Sequence, residues 1–276
     1  MAPWQIETMA DAGGTPIFSR ETGDGPPILL LHGFPQTGHC WRRVAERLRG
    51  SYRVLAPDIP GYGRSGAPPS FDAVTLGATM ADFMAARDAI GATVVGHDWG
   101  GAIALRLASA HRDAVSRLVI VNSPYRRLDL RRSWYMIAFM LPLLPELSLT
   151  LSRGRLVDVM LRAGAADPAA VADAVDEYRA AFRPWERRRN AFGYYRAMSR
   201  TVLTRALLRK RPSGDGRITL PTLIVWGERD PALPVALAEG IARDIQHSRL
   251  EILPDVGHFV PEEAPDALAE LIAGFA

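Results

Sequence analysis

The stretch that decides the fold is Val94-Val95-Gly96-His97-Asp98-Trp99-Gly100-Gly101-Ala102, an apolar run that passes through small residues into a helical pattern. Glycines two positions before and after Asp98 permit a sharp turn that projects the central side chain above a sheet. The helix that follows offers backbone N–H groups and the positive end of its dipole to that carboxylate. Asp98 is therefore a candidate nucleophile. The alternative is an aspartate that only caps the helix.

Around this turn, short apolar runs alternate with amphipathic stretches, which is typical of a parallel sheet with helices on both faces. The apolar runs predict strands at residues 27–31, 52–56, 92–95, 118–121, 222–226 and 250–253. The amphipathic stretches predict helices at residues 41–48, 76–90 and 102–110. Residues 6–20 are expected to add a strand pair at the edge of the sheet.

The alternation stops after Asn122. Helical stretches rich in alanine, leucine and arginine fill residues 124–213, and another strand follows a tract of glycine, proline and serine. We expect residues 1–123 and 214–276 to form one core domain. Residues 124–213 are expected to form a helical cap, inserted after the sixth strand over the sheet edge where ligands of open parallel sheets bind.

Composition and charge narrow the classes of function. The chain of 276 residues is 48% hydrophobic and 23% charged, which excludes a disordered chain. The net charge of +3 conceals 18 Lys and Arg against 8 Asp and Glu in the predicted cap. This excess indicates either solvated arginine faces that complement the rest of the chain, or a surface that attracts anions. Basic clusters at 187–189 and 209–211 accompany no nucleic-acid motif, so no nucleic-acid partner is expected.

The cysteine count, the first residues and the longest apolar run bear on location and assembly. Cys40 is the single cysteine, so an internal disulfide is excluded, and no secretory signal is evident near Met1. We expect a cytoplasmic protein. The longest apolar run, residues 134–145, is too short for a membrane span, which needs roughly 20 residues. Monomer and homodimer both remain open.

Two loops near the C-terminus carry further polar residues. Asp255-Val256-Gly257-His258-Phe259 follows the last predicted strand, and His258 alone of the six histidines has this context. Its unperturbed pKa of about 6.5 suits proton transfer at neutral pH. Trp226-Gly227-Glu228-Arg229-Asp230 follows the preceding strand and offers two acids, of which Asp230 is preferred and Glu228 is the rival.

The order Asp98, Asp230, His258, together with His32-Gly33-Phe34-Pro35 and the loop at residues 58–65, resembles the α/β-hydrolase fold family. It is most similar to the branch with an aspartate nucleophile, which contains epoxide hydrolases and haloalkane or haloacetate dehalogenases. The resemblance covers residues 25–123 and 217–276.

This resemblance implies roles for five residues. Asp98 is the nucleophile, His258 the base and Asp230 the acid that orients it, whereas Asn122, where some relatives place that acid, cannot carry the charge. The backbone N–H groups of Phe34 and Trp99 form the oxyanion hole.

No cofactor or metal is expected. Gly61, Gly63 and Gly66 match the spacing of a dinucleotide fingerprint, but Ala67-Pro68-Pro69 follows where a helix should begin. A nicotinamide or flavin site is therefore rejected.

A carboxylate nucleophile is suited to displacement at saturated carbon, which gives an alkyl ester that water then hydrolyses. In epoxide hydrolases, two cap tyrosines donate protons to the ring oxygen. Residues 133–139 and 194–198 are similar to the cap segments that carry these tyrosines in epoxide hydrolases, so Tyr135 and Tyr195 are the expected pair. Tyr194 or Tyr178 is an alternative partner, and all of these rings can also be core residues.

The expected function is an epoxide hydrolase that converts a small apolar epoxide to a vicinal diol. The alternative is a haloalkane or haloacid dehalogenase. Trp99 matches the first halide donor of haloalkane enzymes, but Phe34 replaces their asparagine, and Trp99 and Ala102 replace the arginines of haloacetate enzymes. A non-catalytic ligand receptor on this fold is the alternative of another class, although a receptor has no need of a paired nucleophile and base.

Overall fold

The computed structural model describes residues 3–123, 135–207 and 218–276, with side chains for 3–123, 136–200 and 218–276. Its strands are β1 (Ile6–Ala12), β2 (Thr15–Thr22), β3 (Pro27–Leu31), β4 (Arg53–Pro57), β5 (Ala92–His97), β6 (Val115–Val121), β7 (Thr222–Gly227) and β8 (Ser248–Leu253). In the described residues they form one eight-stranded sheet in the order β1-β2-β4-β3-β5-β6-β7-β8.

β2 pairs antiparallel with β1 and β4, and the other neighbouring strands are parallel. The predicted α/β fold with an antiparallel strand pair at its edge is confirmed.

Helices accompany this sheet along the described chain. They are α1 (Arg42–Leu48), α2 (Ala73–Ala86), α3 (Trp99–Ala110), α4 (Tyr135–Met140), α5 (Leu144–Leu151), α6 (Arg155–Gly164), α7 (Val175–Ala181), α8 (Trp185–Leu207), α9 (Val235–Asp244), α10 (Val260–Glu263) and α11 (Pro265–Ala273). Short 3₁₀ turns lie at Gly38–Trp41, Arg112–Ala114 and Ala172–Ala174. Among the described helices, none combines the length and the hydropathy needed to cross a membrane.

The predicted second helix differs from α2 at both ends. The observed helix α2 begins at Ala73 rather than at residue 76, because the Asp72 carboxylate accepts the N–H groups of Val74 and Thr75 and so caps the first turn. It ends at Ala86 rather than at residue 90, where Asp88 adopts a positive φ of 51° that a helix does not accommodate.

The helices α4 to α8, which we call the helical segment, lie in the chain between β6 and β7. Within it, α8 packs against α4 and α5, while α6 contacts α5 and α7. The predicted cap boundaries fall at residues 123/124 and 213/214. Because residues 124–134 and 208–217 lie outside the described ones, those boundaries stay predictions.

Ion pairs join the helical segment to the rest of the chain. Arg42 binds Asp173 at 2.7 Å, and Arg20 binds Glu177 at 3.0 Å. In the described part of the chain, every such pair between the two parts has its arginine outside the helical segment and its acid within it. Acidic side chains of the helical segment are thus used in docking.

The turn before α3 packs so closely that it excludes a β-carbon. A Cβ at Gly100 would lie 2.2 Å from the carbonyl oxygen of Leu31 in β3, and a Cβ at Gly96 would lie 2.4 Å from the carbonyl oxygen of Gly100. Since both neighbours are backbone atoms, neither can move without shifting β3 or α3. Glycine at these positions therefore sets the height of α3 above β3 and β5.

We expect Gly100→Ala to destabilise the protein by about 1–3 kcal/mol, because the added methyl group must displace the backbone of β3. Urea unfolding followed by circular dichroism measures the effect. Gly50→Ala is the matched control, since a Cβ at Gly50 meets nothing within 4 Å. Equal unfolding midpoints for the two variants would contradict this account of the turn.

Candidate active site

Asp98 lies at the turn between β5 and α3. Its backbone has φ 48° and ψ −118°, a conformation that costs a non-glycine residue about 1–3 kcal/mol. The Asp98 N–H donates to the carbonyl of Val121 at 3.2 Å, and the Ser123 hydroxyl donates to the Asp98 carbonyl at 2.8 Å. These bonds hold the strained turn. In the described residues the carboxylate forms no capping hydrogen bond with α3, so helix capping does not account for it.

The loop after β3 supplies a donor to this carboxylate. The Phe34 N–H donates to Asp98 Oδ2 at 2.9 Å. His32 braces the loop, because its Nε2 accepts the Ile59 N–H at 3.0 Å and its Nδ1 donates to the carbonyl of Gly33 at 2.9 Å. Burial lowers the pKa of His32 to about 4, so this imidazole is a neutral support.

The position of Asp98 makes it more basic than a surface aspartate. Burial raises the pKa of Asp98 to about 6, although the positive charge of His258 and the backbone N–H groups of Phe34 and Trp99 act to lower it. At neutral pH the group is mostly a carboxylate.

His258 and Asp230 form a buried pair beside Asp98. His258 Nδ1 lies 2.8 Å from Asp230 Oδ2, and the other oxygen of Asp230 accepts the N–H groups of Ala232 at 2.7 Å and Leu233 at 2.9 Å. Burial acts to raise the pKa of Asp230, but the charge of His258 and these hydrogen bonds lower it. The rival acid Glu228 is exposed to solvent.

The same neighbours act in the opposite direction on the imidazole. Burial acts to lower the pKa of His258, but the carboxylates of Asp230 and Asp98 outweigh it and raise this pKa to about 9. His258 is therefore an imidazolium at neutral pH while Asp98 carries its negative charge.

Asn122 is a site residue whose contribution the sequence did not reveal. Its amide Nδ2 donates to Asp230 Oδ2 at 2.6 Å, while its Oδ1 accepts the Gly227 N–H at 3.0 Å. Asn122 follows β6, the position at which some relatives place the acid that orients the histidine, and this position was the one indication in the sequence. The amide does not replace the acid but holds it, because β6 and β7 are neighbours and both end at this edge.

Glu263 is a second residue that sequence reasoning missed. Its carboxylate accepts the N–H groups of Gly257 at 3.0 Å and Phe259 at 2.9 Å, on either side of His258. It also accepts the N–H of Ala166, just beyond α6, at 2.7 Å. An acid in the first turn of a helix is so ordinary that the pattern carried no signal for this role.

The helical segment contacts the same histidine directly. The His258 N–H donates to the carbonyl of Gly164, the last residue of α6, at 2.8 Å. The position of the imidazole thus depends on the helical segment as well as on the sheet.

The predicted tyrosines differ in what they contact. The Tyr195 ring meets the Trp99 ring edge-on at 5.0 Å and the Phe34 ring at 5.8 Å, measured between centroids. The Tyr194 hydroxyl donates to the carbonyl of Pro60 at 2.7 Å, and the Tyr178 hydroxyl donates to the Glu262 carboxylate. Both alternatives are thus buried in structural contacts. Tyr135 begins α4, but its side chain lies outside the described residues.

A cavity of about 520 Å³ connects these groups. Its walls come from both the sheet edge and the helical segment, and most of them are apolar. It is lined by Phe34, Pro35, Asp98, Trp99, Met136, Phe139, Leu156, Val159, Met160, Ala163, Gly164, Tyr195, Pro231, Ala232, Leu233, His258 and Phe259.

The cavity's described polar side chains are the carboxylate of Asp98, the imidazole of His258, the hydroxyl of Tyr195 and the indole N–H of Trp99. Among the described residues, no group of three or more histidine, cysteine or acidic side chains is arranged to hold a metal ion. The arrangement can bind an apolar molecule and present one carboxylate to it.

Comparison with known proteins identifies the family. Residues 26–265 match the model of the alpha/beta hydrolase fold family, to which the chain therefore belongs. Epoxide hydrolase 3 of Mus musculus is 29% identical over 269 residues, covering 92% of this chain and 71% of that protein.

A haloalkane dehalogenase of Mycobacterium marinum is 33% identical over 267 residues, covering 90% of this chain and 84% of that protein. The crystal structure of Cfl2 from Burkholderia cenocepacia superimposes with a TM-score of 0.84 at 28% identity, covering 98% of this chain and 95% of that one. Relatives that are named for two different activities are therefore similar to this chain, at 29% and 33% identity.

Proposed function

We propose that the protein is an epoxide hydrolase whose nucleophile is Asp98 and whose helical segment acts as a cap over the site. A carboxylate oxygen of Asp98 attacks a carbon of the three-membered ring, and the C–O bond of that carbon breaks. The ring oxygen takes the proton of a tyrosine hydroxyl. The product of this step is a hydroxyalkyl ester of Asp98.

The observation that carries this proposal is that Tyr195 and Asp98 line one apolar cavity. A phenol keeps its proton at neutral pH, so it can supply that proton to an alkoxide as the ring opens. Tyr135 is proposed as the second donor on the strength of its sequence context.

Alkylation of Asp98 also favours the second step, in which water hydrolyses the ester. Asp98 loses its negative charge when it becomes an ester, and that charge is one of the causes that raise the pKa of His258. The imidazolium then returns its proton to the tyrosinate left by the first step, and the neutral imidazole accepts a proton from water. The water oxygen attacks the ester carbonyl carbon, and the N–H groups of Phe34 and Trp99 stabilise the oxyanion.

Collapse of this intermediate breaks the acyl C–O bond and releases a vicinal diol. One proton of water ends on the new product hydroxyl and the other on His258, so the enzyme returns to its starting state. Asp230 stabilises the imidazolium throughout, as its hydrogen bond to His258 Nδ1 and its lowered pKa support.

A dehalogenase is the second candidate, and one N–H group that lines the cavity favours it. Trp99 Nε1 is buried, and within the described part of the chain no acceptor lies at hydrogen-bond distance from it. Since Trp99 lines the cavity, this N–H can bind a halide that leaves as Asp98 attacks. A halide needs only such donors, whereas an alkoxide also needs a proton.

Tyr195→Phe tests the assignment. We expect it to slow diol formation from an aryl epoxide by about 10²–10⁴-fold, because the alkoxide loses its proton donor. Tyr194→Phe is the matched control: it removes a hydroxyl that binds the Pro60 carbonyl, so it lowers stability by about 1 kcal/mol but leaves the rate of ring opening unchanged. Product is measured by chromatography with wild-type and variant enzymes at equal folded concentration.

A panel of haloalkanes completes the test. Release of halide that is unchanged by Tyr195→Phe, with no diol from any epoxide, would reverse the order of the two functions. Diol formation at the wild-type rate in the Tyr195 variant would contradict the role given to this hydroxyl.

The pH dependence follows from the nucleophile. Since burial raises the pKa of Asp98 to about 6, the carboxylate is present above that pH and is lost as the pH falls through it. We expect kcat/KM for an epoxide to fall roughly tenfold between pH 7 and pH 5. Circular dichroism at pH 5 controls for unfolding. A flat profile over this range in a folded enzyme would contradict the buried position of the nucleophile.

A further inference from the structure

One side of the helical segment exposes large apolar side chains. Six of them lie within fifteen residues of chain: Ile137, Leu141, Leu143, Leu144, Leu147 and Leu151. We call this surface the leucine face. Leu151 is 83% exposed and Leu143 is 57% exposed, values far from those of core leucines. Scattered single apolar residues are normal on a surface, but a contiguous set marks a binding surface.

Helix geometry places this set together. On α5, Leu144, Leu147 and Leu151 are three and seven positions apart, so they share one side of the helix. Pro145, Glu146 and Leu149 on α5 are buried. The exposed leucines are thus turned away from the protein, although a helix of a monomeric soluble domain normally presents polar residues there.

The border of the leucine face is basic. Arg153 and Arg155 follow directly after Leu151 and are exposed, and Arg188 donates to the Thr150 hydroxyl of α5. Glu146 of α5 is buried in an ion pair with Arg196 at 2.7 Å, and Asp158 of α6 pairs with Arg162 at 2.7 Å. Because other acids of the helical segment bind core arginines, its excess of arginine remains available at the surface.

The chemistry of this face favours lipid over protein. Protein interfaces are enriched in tyrosine, tryptophan and hydrogen-bonding groups, and leucine is under-represented at their hot spots. The leucine face offers aliphatic side chains alone. Aliphatic side chains bordered by arginine are the composition that inserts into acyl chains while it binds anionic headgroups.

The face also adjoins the entrance of the cavity. α5 contacts both α4 and α6, which line the cavity with Met136, Phe139 and Val159 among others. Val159 is 58% exposed and lines the cavity as well, so it lies at the rim. Any partner that binds to the leucine face would therefore lie beside the entrance of the cavity.

We propose that the leucine face and its bordering arginines bind an anionic lipid surface, which brings the cavity entrance to the bilayer interface. The protein thereby takes apolar substrate from the lipid phase. Only this last step rests on the proposed epoxide hydrolase function, since binding to lipid does not depend on catalysis.

Vesicle flotation tests the proposal. One set of vesicles contains phosphatidylcholine alone, and the other contains about 30% phosphatidylglycerol as the anionic lipid. We expect binding to the anionic vesicles that weakens in 0.5 M salt, where the Debye length falls to roughly 4 Å. Leu147→Gln/Leu151→Gln should weaken partitioning at least about tenfold, as loss of two inserted side chains predicts. Arg153→Gln/Arg155→Gln should remove the preference for anionic lipid.

Val74→Gln/Ile90→Gln is the matched control, because Val74 is 59% exposed and Ile90 is 53% exposed outside the helical segment. Absence of vesicle binding in the wild type, or binding that survives the Leu147/Leu151 double variant, would overturn the proposal. A concentration-dependent dimer in light scattering that this double variant abolishes would overturn it in favour of self-association. Turnover of a water-soluble epoxide by the same double variant reports the proposed function separately and should be unchanged.

Discussion

The backbone turn at Asp98 is the constraint on which the site depends. Its left-handed φ is unfavourable for aspartate, and it persists because α3 packs against β3 at a distance that only glycine permits at position 100. The same turn directs the carboxylate toward the Phe34 N–H. The packing that offsets this strain thus fixes a geometry in which the Asp98 carboxylate faces a cavity.

Around that anion, the charges follow from burial and pairing. Asp98, His258 and Asp230 alternate in sign, and each neighbour offsets part of the cost of placing the others in an apolar surrounding. Glu263 and the carbonyl of Gly164 hold His258 from the helical segment as well as from its own loop. Movement of that segment would therefore affect the base itself as well as access to the cavity.

Much of this was predictable from local sequence. The strands are continuous apolar runs because they are covered on both faces, and the turn at Asp98 has a glycine pattern with a direct steric cause. Asp230 and Glu228 were both available in sequence, and burial and the hydrogen bond to His258 distinguish them. Tyr194 and Tyr195 are adjacent on α8, so about 100° of rotation about the helix axis decides which hydroxyl meets the Pro60 carbonyl and which ring lines the cavity.

The contacts of Asn122 and Glu263 were not predictable from local pattern, because each joins segments far apart in the chain. Asn122 meets Asp230 across 108 positions, and Glu263 meets Ala166 across 97. Local periodicity carries no information at that separation. The exposed leucines of α5 show the same limit: an apolar helical pattern predicts burial, but it does not specify which neighbour covers the helix.

The central claim is that Asp98 is alkylated during turnover, and trapping the ester tests it most directly. In His258→Gln, ring opening proceeds while hydrolysis of the ester is slow, so incubation with an aryl epoxide should add the mass of one substrate to the peptide that contains Asp98. Asp98→Asn/His258→Gln should show no addition. Turnover of a confirmed epoxide substrate by the wild type, with an unmodified Asp98 peptide in His258→Gln, would contradict the account.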